Sequence, residues 1–243
     1  MTLVFVALAV GAFLIGLSKG GLGGAIGALV TPLLALVMPV PIALGLALPM
    51  LLIGDCFALY AHWDGWDKRI VWAILPSTVV GVVIAGLLLD VLTPALLQRG
   101  LGLAALLYTA YKLWERVGKR VPIENVPRWL VHLMGALTGV ASTIANAGAP
   151  VFTIYLLQLR LVPEVFVGTS VLYFALLNVI KIPAYLNSHV LGLNFLIVDA
   201  WAIPLIPFGV WSGVLLDRHI DMPTFETIIL VLLAVTGVVL LIK

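Results

Sequence analysis

Long apolar runs, broken by proline, glycine or charge, follow one another along the whole chain. They fall at residues 2–18, 22–38, 41–61, 69–89, 94–114, 127–145, 147–162, 164–187, 195–216 and 223–242. Most approach the about 20 residues of helix needed to cross about 30 Å of hydrocarbon. A bilayer interior offers no water to free backbone groups, so the runs are predicted as helices, broken only where they line a cavity or lie within protein. The second and seventh runs are the shortest and the richest in small residues or flanking glycine. The pattern predicts an all-α polytopic membrane bundle of about eight to ten segments. All ten runs cross, or runs one and two, and six and seven, form re-entrant hairpins, giving eight segments in all, three full crossings plus a hairpin in each half.

Cations set the sidedness. The links after odd-numbered runs carry Lys19, Lys68, Arg69, Lys112, Arg116, Lys119, Arg120, Arg128, Arg160 and Arg218, whereas those after even-numbered runs carry almost none. By the positive-inside rule both termini are outside and the linker around residues 112–128 is cytoplasmic.

Spacing in the two halves points to a repeat. Gly45 opens a stretch reaching Gly65-Trp66-Asp67 and then Gly86-Leu87-Leu88-Leu89-Asp90; Gly168 opens one reaching Gly192-Leu193-Asn194 and then Gly213-Val214-Leu215-Leu216-Asp217. Residues 65 to 90 and 192 to 217 are each 25 apart, and the earlier intervals differ by four residues, about one helical turn. Each half has an odd number of crossings, so the second half enters from the opposite side. Two inverted repeats, 1–114 and 127–243, joined by a linker at 115–126, are the expected organisation of one membrane domain, an architecture that recurs among secondary transporters.

Composition agrees with this reading. Of 243 residues 63% are hydrophobic and 10% charged, against about 25% charged in soluble domains. The amino terminus lacks the basic leader of a signal peptide and is expected to belong to the mature protein. The net charge of +2 is spread over short links, which argues against nucleic acid as a partner. Cys56, alone in an apolar run, reads as a small buried hydrophobe. His62, His132, His189 and His219 are dispersed without metal-ligand spacing, so no metal or other cofactor is expected. Tyr60, Trp63, Trp66 and Trp129 suit an interfacial aromatic belt, and Asp67, Asp90, Asp217 and Asp221 suit segment-end caps.

The candidate chemistry lies in two matching breaks. One reads Ser18-Lys19-Gly20-Gly21-Leu22-Gly23-Gly24 and runs on to Thr31-Pro32; the other reads Ser142-Thr143-Ile144-Ala145-Asn146-Ala147-Gly148-Ala149-Pro150. Glycine frees the backbone, and a helix starting at a break directs unpaired N–H groups at a ligand, a geometry suited to an oxyanion. Close helix packing accounts for any single membrane glycine equally well. Amides around Gly21, Gly23, Gly24 and Gly148, with the side chains of Ser18, Thr31, Ser142, Thr143 and Asn146, are the candidate anion ligands.

Four ionisable or amide groups extend that set. Lys19 is either an anchor at a tight turn or a substrate-attracting cation. Asp55, in an apolar run, is either a proton-coupling carboxylate or a structural partner of Lys19 or Lys68, and the repeat places it near Asn178. Lys181, about one turn beyond Asn178, is an anion ligand or a snorkelling lysine. Thr169, Ser170 and Tyr173 reach a substrate or bond the carbonyl four residues back.

The same residues resemble the TauE/SafE family of sulfite and sulfonate exporters, also called the toluene sulfonate uptake permease family. The likeness rests on the glycine cluster followed by Thr31-Pro32-Leu33-Leu34, on Gly139, Pro150 and Gly168-Thr169-Ser170, and on Gly192; it covers essentially the whole chain. Where that family usually has a second triple glycine, this chain has Asn146 within Ala145 to Pro150. The resemblance implies proton-driven transport of sulfite, organosulfonates or related small organic anions across a bacterial inner membrane. The expected partners are a small anion and the lipid bilayer, and a homodimer is compatible with both. An anion channel shares the composition; a membrane enzyme would need a Gly-x-Ser-x-Gly or His-Glu-x-x-His constellation, and neither occurs.

Overall fold

The computed structural model describes residues 2–22, 24–117, 127–192, 200–217 and 222–242. Within them lie α1 (Thr2–Leu17), a π-helical turn (Ser18–Leu22), α2 (Gly24–Ala35), α3 (Val40–Ala61), α4 (Lys68–Val91), α5 (Pro94–Val117), α6 (Arg128–Ala145), α7 (Ala149–Gln158), α8 (Pro163–Asn187), α9 (Leu205–Asp217) and α10 (Met222–Ile242). Among the described residues there is no strand. Leu3–Gly20, Val40–Ala61, Lys68–Val91 and Pro163–Asn187 are long and apolar enough to cross a membrane.

Helix starts follow local chemistry. The Asp67 carboxylate caps α4 by accepting from the Arg69 N–H at 2.8 Å, one of the four donors a helix start leaves open. Pro41, Pro150 and Pro163 stand in the first turns of α3, α7 and α8, where a missing N–H breaks no ladder bond. α5 runs on to Val117, through the first residues of the expected linker; residues 118–126 of that linker lie outside the described residues. In the described part of the ninth run, turns at 201–204 lead into helix from Leu205.

Helices α2 and α7 are half-depth elements. Their 12 and 10 residues rise about 18 and about 15 Å, well short of about 30 Å of hydrocarbon. α2 folds back on α1: Gly11 packs against Val30 and Leu34, and the Ser18 hydroxyl approaches Gly27.

Glycine allows two helix pairs to touch backbone to backbone. Between α1 with its π turn and α9, a Cβ at Gly16 would sit 2.2 Å from the Ile206 carbonyl and one at Gly20 2.4 Å from that of Val210; Gly209 and Gly213 would meet the Phe13 and Leu17 carbonyls at 2.4 and 2.9 Å. In α4 and α6, a Cβ at Gly81 would lie 2.1 Å from the Ala136 carbonyl, and Gly135 and Gly139 meet Ser77 and Thr78. Numbers rise together along both pairs, so each is parallel. Such small-residue seams replace the hydrophobic drive that lipid cannot supply.

Of the other major contacts, α3–α8 and α5–α10 are antiparallel and α4–α8 is parallel. α3 faces α8, with Gly65 against Gly168 at one end and Asp55 bonded to Asn178 further along. α5 faces α10, where Gln98 donates to the Leu240 carbonyl and Lys112 pairs with Glu226 at 3.0 Å. α4 and α8 are zipped by Asp67 N–H to the Thr169 hydroxyl, Thr78 to Tyr173, and Ser188 to the Gly86 carbonyl. Outer faces remain apolar, as at Leu87, Val91, Leu107 and Val239.

Candidate binding site between the two helix breaks

Both small-residue stretches interrupt their helices, in different ways. The first widens into the π-helical turn before the chain reverses into α2, the kind of local widening that accompanies functional sites. The second ends α6 at Asn146, whose φ of 51° and ψ of 26° are left-handed. The Asn146 N–H bonds the Ser142 carbonyl, the closing bond of an αL stop, and the Ala147 N–H reaches back to the Ala141 carbonyl. α7 restarts at Ala149 behind Gly148 with no side-chain cap.

Helix α8 ties these breaks together through charge. Lys19, in the π turn, forms an ion pair with Asp55 of α3. The second Asp55 oxygen accepts from Asn178 Nδ2 at 2.6 Å. Three residues on, Lys181 Nζ donates to Asn146 Oδ1 at 2.7 Å, and Asn146 Nδ2 donates to the Thr31 hydroxyl at 2.9 Å. Tyr185 closes the series by donating to the Thr143 carbonyl at 2.7 Å, and its ring lies 5.8 Å from the Lys181 ammonium, within cation–π range. Lys181 is fully buried and Asp55 2% exposed. Two lysines thus share the interior with one carboxylate, and of the two it is Lys19 that pairs with it.

Beside this network is a cavity of about 290 Å³. Ser18, Lys19, Ser142, Asn146, Ser170 and Asn178 form its polar wall, with His62 and Thr153 in addition, and Ile15, Leu51, Phe166 and Phe174 are among its apolar lining. Ser142 is 4% exposed, yet its hydroxyl has no hydrogen-bond partner among the described residues. A buried hydroxyl without a partner is costly, and this one borders the cavity.

The remaining candidates lie elsewhere or are engaged. Thr143 bonds the Gly139 carbonyl of its own helix at 2.8 Å, and Ser170, though on the wall, bonds that of Phe166. Thr169 holds the start of α4, and Gly148 packs on Thr138 and Ser142. Thr31 and Lys181 are off the wall and connect to it through Asn146. Gly21 falls in the π turn and Gly24 opens α2, while Gly23 lies outside the described residues. Sequence reasoning passed over His62 and Thr153 as wall residues. A signal for His62 existed: seven residues after Asp55, it falls on the same helix face. Among the described residues no three His, Cys, Asp or Glu side chains gather as if for a metal ion.

The family model described as Sulfite exporter TauE/SafE matches residues 8–240. No curated protein and no solved structure gives a match.

Proposed function

The chain belongs to the TauE/SafE sulfite exporter family of membrane transporters, and from that premise we propose that it carries a small organic anion, held in the cavity between the two breaks. One observation carries the reading: a cavity at the meeting of both breaks, with Lys19, paired to the buried Asp55, and a Ser142 hydroxyl that has no partner among the described residues on its wall. An anion there would pair with the Lys19 ammonium that borders the cavity. It would also give Ser142 an acceptor.

The helix pairing supports inverted repeats and alternating access. If α1 to α5 correspond to α6 to α10, the α1–α9 pair becomes the α6–α4 pair, and α3–α8 and α5–α10 each map onto themselves. Both exchanged pairs are parallel and glycine-seamed. Such symmetry gives one unit two conformations of similar energy. His62 and Phe166 put the cavity towards the end of the bundle that carries Lys68, Arg69 and Arg160, the cytoplasmic end by the positive-inside rule. The fold thus reads as an inward-facing carrier in a bacterial inner membrane. Asp55, the carboxylate held by Lys19, is the group through which a proton would couple to transport.

Size and lining favour an organosulfonate or similar amphipathic anion over bare sulfite. About 290 Å³ is at the lower edge of the about 300–1,000 Å³ range of organic-ligand sites, and Phe166, Phe174 and Leu51 offer an apolar tail a surface. The family description, sulfite exporter, supports the inorganic anion as a second reading. Counterflow in proteoliposomes separates the two. We expect saturable benzenesulfonate exchange that Lys19→Met abolishes; exchange of sulfite alone would favour the second reading, and a non-saturable flux would indicate a channel.

A further inference from the structure

His62 has no part in the network that joins the breaks, yet it shares the cavity with Lys19. It follows the last residue of α3, and only its backbone N–H, bonded to the Ala58 carbonyl at 3.0 Å, serves as the helix cap. The imidazole is half-buried, borders the cavity and has no hydrogen-bond partner among the described residues. Asp55, and with it Lys19, lies seven residues back on the same helix face, about 10 Å deeper. A negatively charged solute entering from this end therefore meets the imidazole at the rim before the ammonium in the interior.

The charges around the rim are few enough to name. Asp64 and Asp67 follow His62 in the loop, Lys68 and Arg69 open α4, Glu164 opens α8, and Arg160 precedes it. Asp67 is engaged in capping α4, and none of the six borders the cavity. Deeper, the π turn contributes Lys19, α3 Asp55 and α8 Lys181, while α1 and α2 carry no titratable side chain. Lys19 is the one other charged or titratable side chain on the cavity wall among the described residues.

Resting on the anion reading above, we propose that His62 is the rim residue that draws the anion into the cavity, as a pH-dependent cation in line with Lys19. Histidine is the side chain whose charge changes most readily between about pH 5 and about pH 8. A unit charge about 10 Å from the bound anion strengthens binding about twofold with bulk-water screening and more than about tenfold at an effective dielectric constant of about 20. Loading is therefore strongest where the cytoplasmic face is acidified.

Binding of benzenesulfonate to purified protein, followed calorimetrically from about pH 5.5 to about pH 8.5, tests this for wild type, His62→Gln and His62→Lys. A sulfonate stays singly charged throughout, so pH acts on the protein alone. Protonation elsewhere, at Asp55 included, cancels in the ratio of wild-type to His62→Gln affinity. That ratio is expected to rise from near one at the alkaline end to about twofold to tenfold at the acid end, while the ratio of His62→Lys to His62→Gln stays raised and flat. A wild-type to His62→Gln ratio independent of pH, or no gain in His62→Lys, overturns the proposal and leaves the anion site standing. Absence of sulfonate binding by wild type at every pH overturns the organosulfonate reading and this proposal with it.

Discussion

Removing Lys19 should harm the fold more than neutralising its partner. In Lys19→Met the Asp55 carboxylate, 2% exposed, keeps a single neutral donor, Asn178 Nδ2. Stranding one member of a buried ion pair costs about 3–5 kcal/mol. In Asp55→Asn the stranded group is the Lys19 ammonium, whose side chain is 16% exposed and borders the cavity. Water reaches it there, so the cost falls to about 1–2 kcal/mol, between the ranges for exposed and buried pairs. The double variant Lys19→Met/Asp55→Asn strands no charge and should return to within about 2 kcal/mol of wild type, since well-packed neutral replacements of buried pairs are often tolerated. The two substitutions are then strongly non-additive. Unfolding in mixed micelles with rising SDS, followed by circular dichroism, measures all three. Equal costs for the two single variants, or a double variant that merely sums them, would refute the placement of this pair between cavity and interior.

Three further outcomes follow from the same geometry. Ser142→Ala should lower benzenesulfonate affinity about fivefold, the worth of about one hydrogen bond, without loss of stability, because the hydroxyl has no hydrogen-bond partner among the described residues; calorimetry and SDS unfolding together check this. Gly81→Ala should cost about 1–3 kcal/mol by overpacking, since its methyl would meet the Ala136 carbonyl at 2.1 Å, and the same unfolding assay reads it. Asn146→Leu loses both hydrogen bonds and places a bulky residue at a φ of 51°, whereas Asn146→Gly loses only the bonds, so in the same titration the leucine variant should be the less stable by about 1–2 kcal/mol.

Much of the bundle was legible because a bilayer admits few alternatives. Run boundaries at 41–61, 127–145 and 164–187 lie within about two residues of α3, α6 and α8. The two breaks stood out as dense small residues, and Asp55 as a carboxylate that needs a partner in an apolar run. Of the partners considered for it, Lys19 is the one it has; Asn178, placed near it by the repeat, bonds it directly. The glycine seams were not legible. Gly16 and Gly20 meet Gly209 and Gly213 nearly two hundred positions on, and nothing local in either sequence specifies the pairing. For the same reason Thr143 and Thr169 read as ligands, although one bonds its own helix and the other holds the start of α4. A hydroxyl's partner depends on which way its helix face turns, and tertiary packing decides that.

A structure determined with 4-bromobenzenesulfonate tests the central claim most directly, because the bromine marks the ligand independently of its sulfonate. The sulfonate is predicted beside Lys19 Nζ and the Ser142 hydroxyl, with the brominated ring against Phe166 and Phe174. Bromine density confined to the outer, lipid-facing surface, with the space between the two breaks filled by water alone, would contradict it.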